Sequence, residues 1–200
     1  MTPAALILAA GEGKRYGAPK ALVSLDGELL VDRAVRIAQE AGCAPVVVVL
    51  GAAATEVVHA AALDQAVVIV NDDWATGMGS SLRCGLSALA DQAAAGAVIL
   101  LVDQPRVGAE TVRRLVDAWR AGARAAVATY DGQPRNPVLL DASTFAAVAA
   151  SAEGDVGARN WLRAHPDDVC AIACDDLGSD IDIDTGADLD RLRAMEDDTS

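Results

Sequence analysis

Leu8-Ala9-Ala10-Gly11-Glu12-Gly13-Lys14-Arg15-Tyr16-Gly17-Ala18-Pro19-Lys20 decides how the rest of the chain is read. Ahead of it, residues 4–8 form an apolar run of strand length. The run breaks into a loop holding three glycines, adjacent cations and a Pro-Lys pair. Glycines let backbone N–H groups approach a phosphate without side-chain obstruction. Arg15 and Lys20 offer the charge-assisted hydrogen bonds that a polyphosphate takes. The stretch therefore has the make-up of an anion cradle at the end of a strand.

Two common cradles do not fit. A Walker loop needs Gly-Lys followed by Ser or Thr, and Gly13-Lys14 is followed by Arg15. The dinucleotide fingerprint needs its third glycine three residues after the second, whereas Gly17 lies four after Gly13. It also wants an acidic residue closing the second strand, where this chain has Leu50-Gly51. That spacing disfavours a dehydrogenase.

Outward from this loop, strand-like and helix-like patterns alternate. Helices are expected at 30–41, 53–63, 81–94, 109–121, near 143–150 and at 158–164. Strands are expected at 45–50, 66–70, 97–102, 124–130, 138–140, 169–174 and 181–183. Asp131-Gly132 marks a turn, and Thr185 with Asp188 resembles a capping box for a last helix. Steady alternation of this kind means a mainly parallel sheet covered on both faces, with ligands bound beyond the carboxyl ends of its strands.

Three later motifs sit where such a site would be. Asn71-Asp72-Asp73-Trp74-Ala75-Thr76-Gly77-Met78-Gly79-Ser80-Ser81 follows a strand and enters a helix. It reads either as an anion-binding helix start or as a plain glycine turn with Ser80 or Ser81 as N-cap. Asp103, directly after the apolar run 97–102 and two residues before Pro105, could hold Mg²⁺ over a triphosphate or cap a turn. In Ile181-Asp182-Ile183-Asp184-Thr185, strand alternation would place both carboxylates on one side. His59 and His165 have no acid or nucleophile at productive spacing, and no Ser-centred nucleophile elbow exists.

Composition bounds the function. Two hundred residues make one domain, read as 1–195 with a polar, frayed end at 196–200. A chain of that size buries roughly 70% of its unfolded surface. Hydrophobic residues make up 52% but aromatics only 3%, so Ala, Val and Leu must fill the interior. A net charge of −13 argues against nucleic acid as partner. Without a membrane-length apolar run or a signal-like N-terminus, the expectation is a cytoplasmic protein with no membrane contact. Cys43, Cys84, Cys170 and Cys174 lack zinc-site spacing and are expected as buried small hydrophobes.

The loop Leu-Ala-Ala-Gly-x-Gly-x-Arg-x-Gly-x-Pro-Lys resembles the signature of the MobA-like NTP transferases, which include molybdopterin (molybdenum cofactor) guanylyl- and cytidylyltransferases. The resemblance runs from residue 5 to about residue 190. It implies an α/β fold of the nucleotide-diphospho-sugar transferase kind: one three-layer, Rossmann-like domain with a mainly parallel, mixed sheet. The sugar-phosphate members have a longer insert between the Arg and the Pro-Lys, so the short loop here points to the smaller, cofactor-modifying branch. Gly77-Met78-Gly79-Ser80-Ser81 and Leu8-Ala9-Ala10-Gly11 resemble the cytidylyltransferase branch.

The resemblance implies transfer of CMP from CTP to a phosphorylated small-molecule acceptor such as molybdopterin, with Mg²⁺ as cofactor and pyrophosphate as by-product. Arg15, Lys20 and Asp103 would be catalytic. Leu8, Ala9, Ala10, Gly11, Gly13, Arg15, Lys20, Asn71, Gly77, Ser80 and Ser81 would bind the nucleotide. Asp103 and Asp184 would hold the metal, and Asn136, Asp155 and Arg159 would face the acceptor. Asn136 stands where relatives carry the His of a Gly-His-Pro motif. A molybdoenzyme-maturation protein is a further implied partner. The alternatives are a guanylyltransferase of the same fold and a non-catalytic nucleotide-binding accessory protein.

Overall fold

The chain runs β1 (Ala4–Ala9), β2 (Ser24–Leu25), β3 (Glu28–Leu29), α1 (Leu30–Glu40), β4 (Val46–Leu50), α2 (Ala54–Ala60), β5 (Val67–Val70), α3 (Met78–Asp91), β6 (Gly96–Leu101), α4 (Ala109–Arg120), β7 (Ala125–Tyr130), β8 (Gln133–Asp141), α5 (Phe145–Ser151), α6 (Arg159–Ala164), β9 (Val169–Ala173) and α7 (Gly186–Asp197). This computed structural model describes residues 1–197, so the expected frayed end at 196–200 lies partly outside the described residues. None of the described helices is long and apolar enough to cross a membrane.

Seven strands form one sheet in the order β5-β4-β1-β6-β8-β7-β9. Only β8 runs against its neighbours, β6 and β7. The reason is local. Asp131 and Gly132, both at positive φ, close a two-residue hairpin between Tyr130 and Gln133, and such turns match the twist of paired antiparallel strands. The other pairings are parallel, as crossovers through helices require.

Strand alternation divides the interior into two layers. Ala5, Ile7 and Ala9 of β1 face α1, α4 and α7, where Val31, Ile37, Leu115 and Leu192 are buried. Ala4, Leu6 and Leu8 face α3, α5 and α6, where Leu82, Leu86, Val148 and Trp161 are buried. A strand covered on both sides reads as an unbroken apolar run, which is why β1, β4 and β6 were legible. Helix α3 comes close to the sheet at Gly85, which lies directly over Leu6.

Four expectations are corrected. Residues 181–183 form no strand; the segment is held by one backbone bond, from the Ile183 N–H to the Asp103 carbonyl at 2.9 Å. The helix expected to reach residue 63 ends at Ala60, and Asp32 of α1 accepts the Ala62 N–H at 2.9 Å. The third helix begins three residues before Ser81, so Ser80 and Ser81 are buried inside its first turn and are not its N-cap. Cys170 is exposed on the edge strand β9, while Cys43 and Cys174 are buried.

Asp141, at the end of β8, fastens that strand to α4. Its carboxylate accepts the Trp119 indole N–H at 2.9 Å and the Ser143 hydroxyl and amide at 2.6 and 3.0 Å. Burial alone would raise the carboxyl. The Ser143 and Trp119 hydrogen bonds, with Arg124, outweigh burial and hold it below its ordinary value. A depressed carboxyl stabilises the fold above its unfolded value of about 3.9 and loses that contribution as pH falls through its folded value. Chemical denaturation of wild type and Asp141→Asn should therefore show a stability gap at pH 7 that narrows below about pH 4. A gap independent of pH would contradict this role.

Candidate active site

Because β1 and β6 are parallel neighbours, the loops leaving their carboxyl ends emerge side by side. The first carries residues 10–20 and the second Asp103 and Gln104. The segment before α7 closes the third side through the Ile183 to Asp103 backbone bond. These loops floor one end of an open cleft of about 1470 Å³.

Gly13 sits at φ +64°, a left-handed conformation that L side chains rarely adopt. A Cβ there would overlap the Ala18 carbonyl, and the Gly17 N–H returns to the Gly13 carbonyl at 2.8 Å. The loop is thus folded back on itself, which presents Lys20 to the floor. Its ammonium lies 2.7 Å from Asp103 Oδ2 and 2.7 Å from Asp184 Oδ1. Arg15 reaches the other oxygen of Asp184 at 3.0 Å from the solvent side.

Lys20 is only 17% exposed and Asp103 21%, so this ion pair is screened less than a surface one. Burial opposes the charge on Lys20, but Asp103 and Asp184 together hold its ammonium above the ordinary value. Gln104 is buried and donates its Nε2 to Asp182 Oδ1 at 2.8 Å. Partial burial, then the nearby Asp103 charge, push the Asp182 carboxyl up, although its side chain still borders the open cleft.

The second glycine motif forms the opposite wall. Gly77 lies at φ +111°, and a Cβ there would strike the Gly154 backbone and the Asp155 carboxylate. Gly79 donates its N–H to the Gly154 carbonyl at 2.7 Å. The Met78 N–H, at the start of α3, goes to Asp155 Oδ1 at 3.2 Å. Asn71 is buried and donates to the hydroxyls of Ser80 and Ser81 at 2.8 and 3.0 Å.

The structure sorts the expected site residues accordingly. Leu8, Ala10, Gly11, Gly13, Arg15, Lys20, Gly77, Ser81, Asp103, Asp184, Asn136, Asp155 and Arg159 all line the cleft. Ala9 does not: strand alternation turns it into the layer under α1 and α4. Asn71 and Ser80 are spent on each other and on the Asp73 and Gly77 carbonyls, so they shape the loop from beneath. Asn136 reaches the cleft because β8 shifts register against β7 there: Val138 pairs with Val127 and Arg135 with Ala128.

Gln104, Trp74 and Arg163 also line the cleft and were not expected. Gln104 follows Asp103 directly, and its place beside that carboxylate at the end of β6 was the available signal. Trp74 packs over Gly51, whose missing side chain leaves room for the indole. Nothing in the local sequence pairs those two. The lining carries six acidic and six basic side chains, in a chain with 29 of the former and 16 of the latter. The cleft is therefore much less negative than the rest of the surface and is open to an anionic ligand.

Among the described residues no group of three His, Cys, Asp or Glu side chains is placed to cage a metal. Asp103 and Asp184, both oxygen donors bracketing one cation, nonetheless suit Mg²⁺, which is commonly bound by one or two carboxylates with substrate phosphates and water completing the shell.

A family profile described as MobA-like NTP transferase domain matches residues 5–169. Nicotine blue oxidoreductase of Paenarthrobacter nicotinovorans is 41% identical over 195 residues, 94% of each chain. A protein of Opitutus terrae named a probable molybdenum cofactor guanylyltransferase is 35% identical over 129 residues, 64% of this chain and 61% of its own length. The crystal structure of Rv0371c from Mycobacterium tuberculosis in complex with manganese superimposes with a TM-score of 0.80 at 30% identity, over 96% of this chain and 98% of that one. The shared architecture is that of the nucleotide-diphospho-sugar transferases.

Asp155 as the acceptor for the start of α3 has a direct consequence. Asp155→Ala should free the Met78 amide and destabilise that first turn by about 0.5–2 kcal/mol, as loss of an N-cap does. Hydrogen exchange at Met78 and Gly79 should quicken in the variant while the β1 amides stay protected. Unchanged exchange at Met78 would show that the carboxylate does not hold the loop.

Proposed function

The chain belongs to the MobA-like NTP transferase family, an enzyme family of nucleotidyltransferases, and on that premise we propose that it moves CMP from CTP onto a phosphorylated acceptor such as molybdopterin. The observation that carries this reading is the Lys20 ammonium held between Asp103 and Asp184 at the end of β1, under a glycine loop open to an anion.

An acceptor phosphate monoester is already ionised at neutral pH, so attack on the α-phosphorus needs no protein nucleophile. The residues present match that demand: cations and N–H groups to position and neutralise, with no His in the cleft lining. Arg15 and Lys20 would hold the triphosphate and the departing pyrophosphate. Asp103 and Asp184 would bind Mg²⁺, which when bound supplies Lewis-acid neutralisation of phosphate charge. Asn136 would face the acceptor.

Leu8-Ala9-Ala10-Gly11 with Gly77-Met78-Gly79-Ser80-Ser81 supports CTP over GTP. The Opitutus terrae relative supports a guanylyl variant of the same chemistry. A redox reaction is the second reading, and the 41% identity to a protein named an oxidoreductase favours it. Retention of both Lys20 and Asp103 speaks against a purely accessory role.

Lys20→Ala should weaken CTP binding by about 1.5–3 kcal/mol, the worth of a hydrogen bond to a charged group. Titration calorimetry reads this directly, and unchanged affinity would take Lys20 out of the nucleotide site. Asp103→Asn should abolish Mg²⁺-dependent pyrophosphate release from CTP and molybdopterin while the far-ultraviolet circular dichroism stays native. Full turnover in that variant would remove Asp103 from metal binding.

A further inference from the structure

The chain holds sixteen Lys and Arg, of which Lys14 and Lys20 are the only lysines, leaving fourteen arginines. Twelve of these find a carboxylate or carbonyl acceptor within the fold. Arg159 and Arg163 alone, among the described residues, find none. In a protein of net charge −13, two guanidinium groups on one short helix are left without a partner among the described residues.

Their position gives the two arginines a common target. They stand four residues apart on α6, hence on one face, and both line the cleft together with Leu162. Of the carboxylates that line the cleft beside them, Asp155 takes the Met78 N–H and Asp180 pairs with Arg135 at 2.7 Å. The base of the cleft is apolar, made by Ile99, Val127, Val138 and Val169 from four different strands, of which the first three are almost wholly buried and Val169 is partly open. One end of the cleft thus holds the Lys20–Asp103–Asp184 group. The other combines an apolar floor with two arginines that have no partner.

We infer that Arg159 and Arg163 bind an anionic group, phosphate or carboxylate, borne by the second substrate at the end remote from its reacting phosphate. The body of that substrate, lying on the four-strand floor, is apolar or aromatic. The acceptor is then doubly anionic with a flat apolar middle. This assignment of the acceptor rests on the nucleotidyl-transfer reading; the anion site itself does not.

The test uses two naphthalene probes of similar shape, 8-anilinonaphthalene-1-sulfonate and its uncharged counterpart N-phenyl-1-naphthylamine, titrated by fluorescence into the full chain. The sulfonate should bind roughly 10-fold more tightly than the neutral probe, and added salt should erode that difference. Arg159→Ala/Arg163→Ala should lose roughly 10-fold in sulfonate affinity with the neutral probe unchanged, and Arg159→Lys/Arg163→Lys should recover part of the loss. Equal sulfonate affinity in wild type and the double alanine variant would overturn the inference, as would equal binding of the two probes by wild type. Titration of wild type with Mg²⁺-CTP separates the two readings. Absence of CTP binding beside an intact sulfonate result would remove the transfer chemistry and leave the anion site standing.

Discussion

The site depends on one ammonium group held between two carboxylates. Lys20, Asp103 and Asp184 are separated by 83 and 164 positions in the chain, yet Lys20 Nζ is 2.7 Å from each acid. The parallel pairing of β1 with β6 sets the first two loops side by side, and the Ile183 to Asp103 backbone bond brings in the third. Partial burial makes the group more than a surface ion pair, while the open cleft keeps it reachable by ligand. Two acids and a lysine so arranged can exchange partners with a metal-bound polyphosphate without leaving any charge stranded.

A second constraint faces the first. The Gly77–Ser81 loop closes against Gly154 and Asp155 through backbone contacts that only glycines permit, and Asn71 pins it from beneath. The second wall is shaped by close backbone contacts and by the short side chains of Asn71, Ser80 and Asp155, where the first relies on Lys20, Arg15 and Gln104. Four of the six cations lining the cleft are paired with carboxylates and Arg159 and Arg163, among the described residues, are not, and the balance of six acids and six bases there contrasts with the acidity of the chain as a whole.

Much of this was legible because physics wrote it locally. Strands buried on both faces read as unbroken apolar runs, and helices between them imposed the parallel sheet. The residues that follow β1 and β6 in sequence necessarily lie at its carboxyl edge. Legibility failed where tertiary contacts override local pattern. The alternation of Ile181-Asp182-Ile183-Asp184 mimics a strand, but among the described residues no strand pairs with it and one backbone bond from Ile183 to Asp103 holds it. Asn71 and Ser80 resemble ligand contacts until the structure shows them bonded to each other. Ala9 belongs to the signature stretch, but strand alternation sends it to the opposite face. The small β2–β3 hairpin has only two residues per strand, too few for an alternation pattern, and Asp26-Gly27, both at positive φ, are its one local mark. Arg163 carried no signal at all, since only the fold shows that it lacks a partner.

The central claim is that the Lys20–Asp103–Asp184 group binds a nucleoside triphosphate together with a divalent metal. Calorimetric titration of the wild-type chain with CTP, GTP, ATP and NAD, each with and without Mg²⁺, tests it most directly. The account predicts triphosphate binding that strengthens with Mg²⁺ and is tightest for CTP, with NAD bound weakly and without regard to the metal. Tight, metal-independent binding of NAD with no affinity for any triphosphate would contradict it and turn the protein toward the redox chemistry that its 41% identical relative is named for.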